Sequence, residues 1–208
     1  PLVGSAATFV NSNAVLLLRN AHVTNEVLTL NSLNSGGALQ VELTGDWIGD
    51  ITLSTNVVIE ASSLLQLGGV ISGTGGFTKV GGSTLRMIGA DANTYAGTTT
   101  VNSGTLELGR TSFDGSVPGP LVIGDGSLVD SVVLLAGSQI ANTAPVTLNP
   151  VALLNLNNFV ERVASLDMTA ATVDSGLSTL FLNSGGVTTH ASATGSTILG
   201  HLDLGGGV

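Results

Sequence analysis

A four-residue unit of apolar, any, apolar and small or turn-forming residue recurs along the chain. Ten copies are Leu28-Thr29-Leu30-Asn31, Val41-Glu42-Leu43-Thr44, Ile51-Thr52-Leu53-Ser54, Leu65-Gln66-Leu67-Gly68, Leu106-Glu107-Leu108-Gly109, Leu121-Val122-Ile123-Gly124, Val146-Thr147-Leu148-Asn149, Leu154-Asn155-Leu156-Asn157, Leu180-Phe181-Leu182-Asn183 and Leu202-Asp203-Leu204-Gly205. The period of two puts both large side chains of a copy on one face, and the fourth residue tolerates a left-handed or turning backbone. Each copy therefore predicts a short strand and a corner. Successive copies start 8 to 41 residues apart, unlike the fixed periods of leucine-rich or ankyrin repeats and in keeping with a solenoid of variable corners. The expectation is an all-β fold, a parallel β-helix of roughly ten coils of about twenty residues, running as one unit over 1–208. Leu30, Leu67, Leu108, Leu156 and Leu182 should point inward and Glu107 outward.

Two other patterns compete with this one. Short strands between turn residues also suit a β-sandwich or barrel, although these usually carry more aromatic residues inside and more charge outside. Phe159, Val163, Leu166 and Ala170 fall at helical spacing in a glycine-free stretch, and Ala14 to Val23 could also wind. Asn and Thr crowd both stretches, so both are read as strands.

Composition narrows the functional classes. Of 208 residues only 9% are charged, against roughly 25% in an average soluble protein. Gly supplies 29 residues and Ser plus Thr 45, so hydroxyl and amide groups must form the polar surface. Five basic residues face fourteen acidic ones, for a net charge of −9, which excludes nucleic-acid binding by phosphate neutralisation. With 43% hydrophobic residues and a mean hydropathy of +0.49, the chain should fold. No apolar run is long enough for a membrane helix, and the absence of Cys rules out disulfides and Cys-based metal or redox sites. Aromatic content of 3% agrees with a core of stacked Leu, Val and Ile.

Candidate chemistry is sparse. His22, His190 and His201 lie far apart in sequence, with no metal-ligand spacing, and read as partly exposed polar residues. Ser83, in Gly81-Gly82-Ser83-Thr84-Leu85, lacks the closing Gly of a nucleophile elbow. Gly73-Thr74-Gly75-Gly76-Phe77-Thr78-Lys79 superficially suggests a phosphate loop, but its Lys follows Thr. Asp125 and Asp130 flank Gly126 at a spacing loosely like a calcium loop; a solvated turn is the preferred reading, and calcium binding there stays open. Arg19, Lys79, Arg86, Arg110 and Arg162 are too scattered to argue a catalytic cluster. No catalytic, cofactor-binding or metal residue is therefore assigned, and no cofactor is expected.

Residues 73–109 keep, in order, Gly75-Gly76-Phe77-Thr78-Lys79, then Ser83-Thr84-Leu85, then Asn93-Thr94-Tyr95-Ala96-Gly97-Thr98-Thr99-Thr100-Val101, then Gly104-Thr105-Leu106. This stretch resembles the autotransporter-associated β-strand repeat, with Phe77 for the usual Leu, Ser83 for Gly, and Arg86-Met87 as departures. Leu85 and Met87 point one way and Arg86 the other, so the register survives. Looser likeness covers most of the chain. The resemblance implies a right-handed β-helix in a bacterial surface or secreted passenger and carries no catalytic residue.

The function expected is structural and extracellular, a segment that extends a larger protein from the bacterial surface and serves adhesion. The enzymatic alternative, a polysaccharide lyase or hydrolase, needs converging carboxylates or a carboxylate with a base in one groove. A ligand-binding module would show a row of exposed aromatics drawn from Trp47, Phe77, Tyr95 and Phe113. Expected partners are further coils of the same chain or like subunits stacked head to tail, and host or surface glycans. Neither end, Pro1 to Val10 or Leu202 to Val208, shows a charged cap, so the segment is expected to continue beyond 208 residues and to associate as concentration rises.

Overall fold

The computed structural model describes residues 7–183 and 185–205. The described residues contain no helix; all the strands pair in parallel, each with its counterpart in a neighbouring coil. The fold is a β-solenoid with three faces.

The second face is the most regular. Its nine strands run in order from Leu16–Leu18 through Leu39–Val41, Val57–Ala61, Phe77–Val80, Thr99–Val101, Leu121–Ile123, Pro145–Leu148 and Ser165–Met168 to Val187–Thr189. The described residues thus make nine turns, close to the roughly ten expected from the sequence. Aligned residues on this face, such as Leu39 and Ile59 or Leu121 and Val146, lie 20 to 25 positions apart. At about 4.8 Å per coil, nine stacked strands span roughly 40 Å.

The third face stacks Ala21–Val23, Gly45–Trp47, Leu65–Leu67, Thr84–Gly89, Thr105–Arg110, Ser131–Leu134, Leu153–Asn155 and the eleven-residue Thr172–Leu182. That long strand turns a corner. Its first part continues the third face, and its second part, Leu180 to Leu182, pairs with Glu161–Val163. Thr197–Asp203 follows it with a register shift between the two parts.

The first face begins as an ordinary ladder of Ala7–Asn11, Val27–Asn31, Ile51–Leu53 and Ile71–Gly73. Regular pairing then stops. Between Ile71–Gly73 and Glu161–Val163 only one isolated bridge, Val117 to Ile140, marks this side among the described residues.

Inside runs a column of hydrocarbon. Leu30, Leu67, Leu108, Leu156 and Leu182 are all fully buried, as the period of two requires. Eight of the ten units place both apolar residues inside. The unit at Val41 is out of frame, because the strand is Leu39-Gln40-Val41 and the chain turns before Leu43, which is exposed. In the last unit Leu202 is half-buried and Leu204 exposed. None of the helically spaced residues is helical: Val163 ends Glu161–Val163 and Leu166 sits in Ser165–Met168, both buried, while Phe159 and Ala170 lie between strands. The residues around Pro1 and Gly206, on which part of the end-capping expectation rested, lie outside the described residues.

Candidate functional site

Where the first face loses its ladder, buried polar side chains take over the backbone hydrogen bonds. Asn93 accepts from the Ile71 N–H at 2.8 Å and donates to the Ser116 carbonyl at 2.8 Å. The Ser116 and Val117 N–H groups both donate to the Gln139 carbonyl at 2.9 Å. Gln139 Oε1 accepts from Arg110 N–H and from Ser116 Oγ, while its Nε2 donates to the carbonyls of Arg110 and Gly137. One coil further on, Glu161 Oε2 accepts from the Gln139 N–H at 2.7 Å and Oε1 from the Arg162 N–H at 3.0 Å. An unbroken relay thus runs from Ile71 through Asn93, Ser116 and Gln139 to Glu161, and these four polar side chains are buried. Burial without a cationic partner in contact pushes the Glu161 carboxyl up to about 7, against the opposing effect of the N–H groups that face it.

Two cations are also inside. Lys79 is fully buried and its ammonium donates to the carbonyls of Gly81 (2.5 Å), Ser83 (2.7 Å) and, in the next coil, Ser103 (2.5 Å). Three acceptors match its three protons. Burial lowers its pKa to about 8, against the pull of Asp130 and Glu60. Arg110 is 1% exposed; its guanidinium donates to the Asp91 carbonyl at 2.8 Å and to the Gly69 carbonyl at 2.5 Å, so one side chain ties three consecutive coils. Tyr95 stands edge-on to Phe77, with ring centroids 5.7 Å apart, and its hydroxyl meets Thr99 Oγ1 at 2.5 Å. Burial pushes the Tyr95 phenol well above its ordinary range.

The surface chemistry consists of separate pairs joining neighbouring coils: Arg19 with Glu42, Arg86 with Glu107 (2.5 Å), His22 with Asp46 (2.5 Å) and His190 with Asp167 (2.6 Å). Arg162 lies over the Phe181 ring at 4.5 Å. Each of the five basic residues is therefore held by another coil or ring, and the scatter seen in sequence becomes a set of stitches between coils. His22, His190 and His201 are exposed, as expected. Among the described residues no group of three or more His, Asp or Glu is placed to hold a metal ion.

The structure corrects the solvated-turn reading of Asp130 and bears against two alternatives that the sequence only raised. Lys79, weighed as part of a phosphate loop, spends its ammonium on carbonyls inside the corner. Asp125 is in an exposed turn, with Oδ1 accepting from Ser127 N–H, but Asp130 is not solvated; it is 1% exposed, Oδ2 accepts from Asp125 N–H at 3.4 Å, and burial raises its pKa. Of the aromatics that a ligand-binding row would need, Trp47, Phe77 and Tyr95 are buried and only Phe113 is exposed. The sequence also left Asn93, Ser116, Gln139 and Glu161 without a role.

Residues 77–108 match the family model of the passenger-associated-transport repeat. Over that stretch the chain is similar to the repeat. The inward residues of the repeat are the parts just described: Phe77 and Lys79, Leu85 and Met87, Asn93 and Tyr95, Thr99 and Val101, Leu106 and Leu108, all buried. The matched stretch thus spans about one and a half coils of this solenoid together with their hydrogen-bond stitching, with Phe77 and Met87 filling core positions. Over 120 residues the chain is 30% identical to the adhesin BmaC autotransporter of Brucella suis biovar 1 (strain 1330), a match covering 56% of this chain and 4% of that protein. No solved structure matches the chain.

Proposed function

We propose that the chain is a surface-exposed passenger segment of a bacterial autotransporter, and that its work is to extend and stiffen an adhesive stalk. The observation that carries this reading is the disposition of its charged chemistry: Lys79, Arg110 and Glu161 are sealed in the core, joining coils. Side chains committed in this way supply a rigid rod, and what faces outward is largely neutral hydroxyl and amide. The likeness to a protein named an adhesin supports the adhesive purpose, and the repeat at 77–108 supports the passenger setting. The role is non-enzymatic in this reading. Further coils of the parent chain stacked on this segment are part of the same proposal.

Displaying the chain on bacterial cells, fused to an autotransporter barrel, tests it. Displaying cells should adhere to epithelial monolayers or coated plastic several-fold better than cells with the barrel alone. A Leu108→Asp variant, misfolded but still exported, should lose that gain. Equal adherence of all three strains would overturn the reading.

A further inference from the structure

The corner between the first and second faces is built in successive coils almost entirely from small neutral residues: Ser12-Asn13, Asn31-Ser32-Leu33, Ser54-Thr55-Asn56, Thr74-Gly75-Gly76 and Ala96-Gly97-Thr98. The glycines let these turns stack closely; a Cβ on Gly97 would come within 2.2 Å of the Gly76 nitrogen, and one on Gly75 within 1.9 Å of the Thr55 carbonyl oxygen. Two hollows open along the corner. One, of about 360 Å³, is lined by Asn56, Thr74, Phe77, Thr78, Gly97, Thr98 and Thr100. A second, of about 280 Å³, is lined by Ser12, Asn13, Asn31, Leu33 and Thr55. The two hollows lie along the same corner, with Thr55 lining one and its neighbour Asn56 the other.

No lining residue of either hollow is charged, and much of the hydrogen-bonding capacity is unspent. Asn56 Oδ1 caps the Gly76 N–H at 2.8 Å, which fixes the amide and leaves its Nδ2 donors without a partner among the described residues. The hydroxyls of Thr78, Thr98 and Thr100 likewise have no partner among the described residues, and Thr74 makes only a 3.4 Å contact to the Ser54 carbonyl. Each Thr hydroxyl both donates and accepts, and strand pairing holds Thr78 and Thr100 opposite each other. Leu33, 71% exposed at the far end, offers an apolar ledge.

We propose that this cleft takes the end of a neutral oligosaccharide. Sugar hydroxyls match an array of mixed donors and acceptors, the apolar face of a pyranose suits Leu33, and without cations an anionic glycan gains no ion pair here. The larger hollow falls within the roughly 300–1,000 Å³ usual for small-molecule clefts. An open, wet site of this kind binds weakly, in the millimolar range for one sugar end, and becomes useful through many copies on a surface.

The proposal rests on the adhesion reading and names its ligand class. Neutral and sialylated oligosaccharides would be titrated into the 15N-labelled chain, with amide shifts read at residues 54–57 and 74–100. Neutral sugars should shift these amides saturably, and Thr98→Val with Thr100→Val should weaken binding at least fivefold. Asn56→Asp keeps the acceptor that caps Gly76 while removing the donors, so it should weaken binding without unfolding the corner. Thr147→Val, outward two coils beyond Thr100 and outside the lining of either hollow, should change nothing. Preference for sialylated sugars, no shift at 20 mM, or binding indifferent to the Thr and Asn changes would overturn the proposal. Adhesion by displaying cells that persists under excess neutral sugar would sink the glycan cleft and leave the adhesion reading standing.

Discussion

The second face and the middle of the first face reach the same coil-on-coil stacking by different means. On the second face nine strands pair in parallel, and the backbone supplies its own partners. On the first face, from Ile71 to Glu161, the strands are missing, scattered backbone bonds such as Thr94 N–H to the Ile71 carbonyl remain, and the side chains of Asn93, Ser116, Gln139 and Glu161 carry the rest from coil to coil. A ladder is indifferent to sequence so long as inward residues are apolar. The relay depends on the identity of each member, since removing one leaves buried N–H and C=O groups that water cannot reach. The comparison separates two kinds of vulnerability, volume on one face and hydrogen-bond identity on the other.

The largest effect should come from charging the ladder-bounded core. Leu108→Asp places a carboxylate where nothing pairs with it, and should cost about 5 kcal/mol or more, enough to unfold an ordinary domain; an unchanged thermal melt would show that Leu108 does not face inward. Next comes the relay. Gln139→Ala orphans the Arg110 N–H and two carbonyls together, and should cost about 3 to 4 kcal/mol in urea unfolding. A loss under 1 kcal/mol would mean the relay is decoration on a face held by other contacts.

Glu161 makes the relay pH-dependent. Its folded-state pKa is raised to about 7 from an ordinary 4.5. Between those values the folded chain keeps a proton that the unfolded chain has released, so stability falls as pH rises from about 4.5 to 7 and is level above that. The contribution is about 3 kcal/mol across that window. In Glu161→Gln that slope should be missing from urea midpoints measured at pH 4.5, 6 and 8. A parent whose stability rises through the same window, with the variant following it, would contradict the assignment.

The smallest effect belongs to the outside of the ladder. Glu107 points outward as expected but pairs with Arg86 in the coil below, so Glu107→Ala should cost about 0.5 to 1 kcal/mol, and less at 1 M salt. An effect as large as that of Gln139→Ala would erase the distinction between the two regions.

Much of this was legible in the sequence. The period of two located the faces, and where a unit was misread, at Val41, the frame slipped by two and kept the correct parity. The same parity already pointed Lys79 inward with Phe77, Arg110 inward with Leu108, and Glu161 inward with Val163. Average burial preferences argue against a buried Lys, Arg or Glu, and only the corner geometry reveals the carbonyls waiting for them. Asn93 and Gln139 carry no such signal, since an amide beside a turn is equally at home in solvent. The hollows were hidden for another reason: they are made by stacking turns some twenty residues apart, and glycine spacing alone does not say which turns lie above one another.

Arg110 has a mechanical consequence. In an array held only by neighbour contacts, a pull along the axis peels off one coil at a time, each step releasing about twenty residues of slack. A side chain that grips Gly69, Asp91 and its own coil couples second neighbours as well. Stretched from its ends, the segment between Gly69 and Arg110 should therefore yield as one block, giving a single long extension at higher force where the rest of the rod gives several short ones.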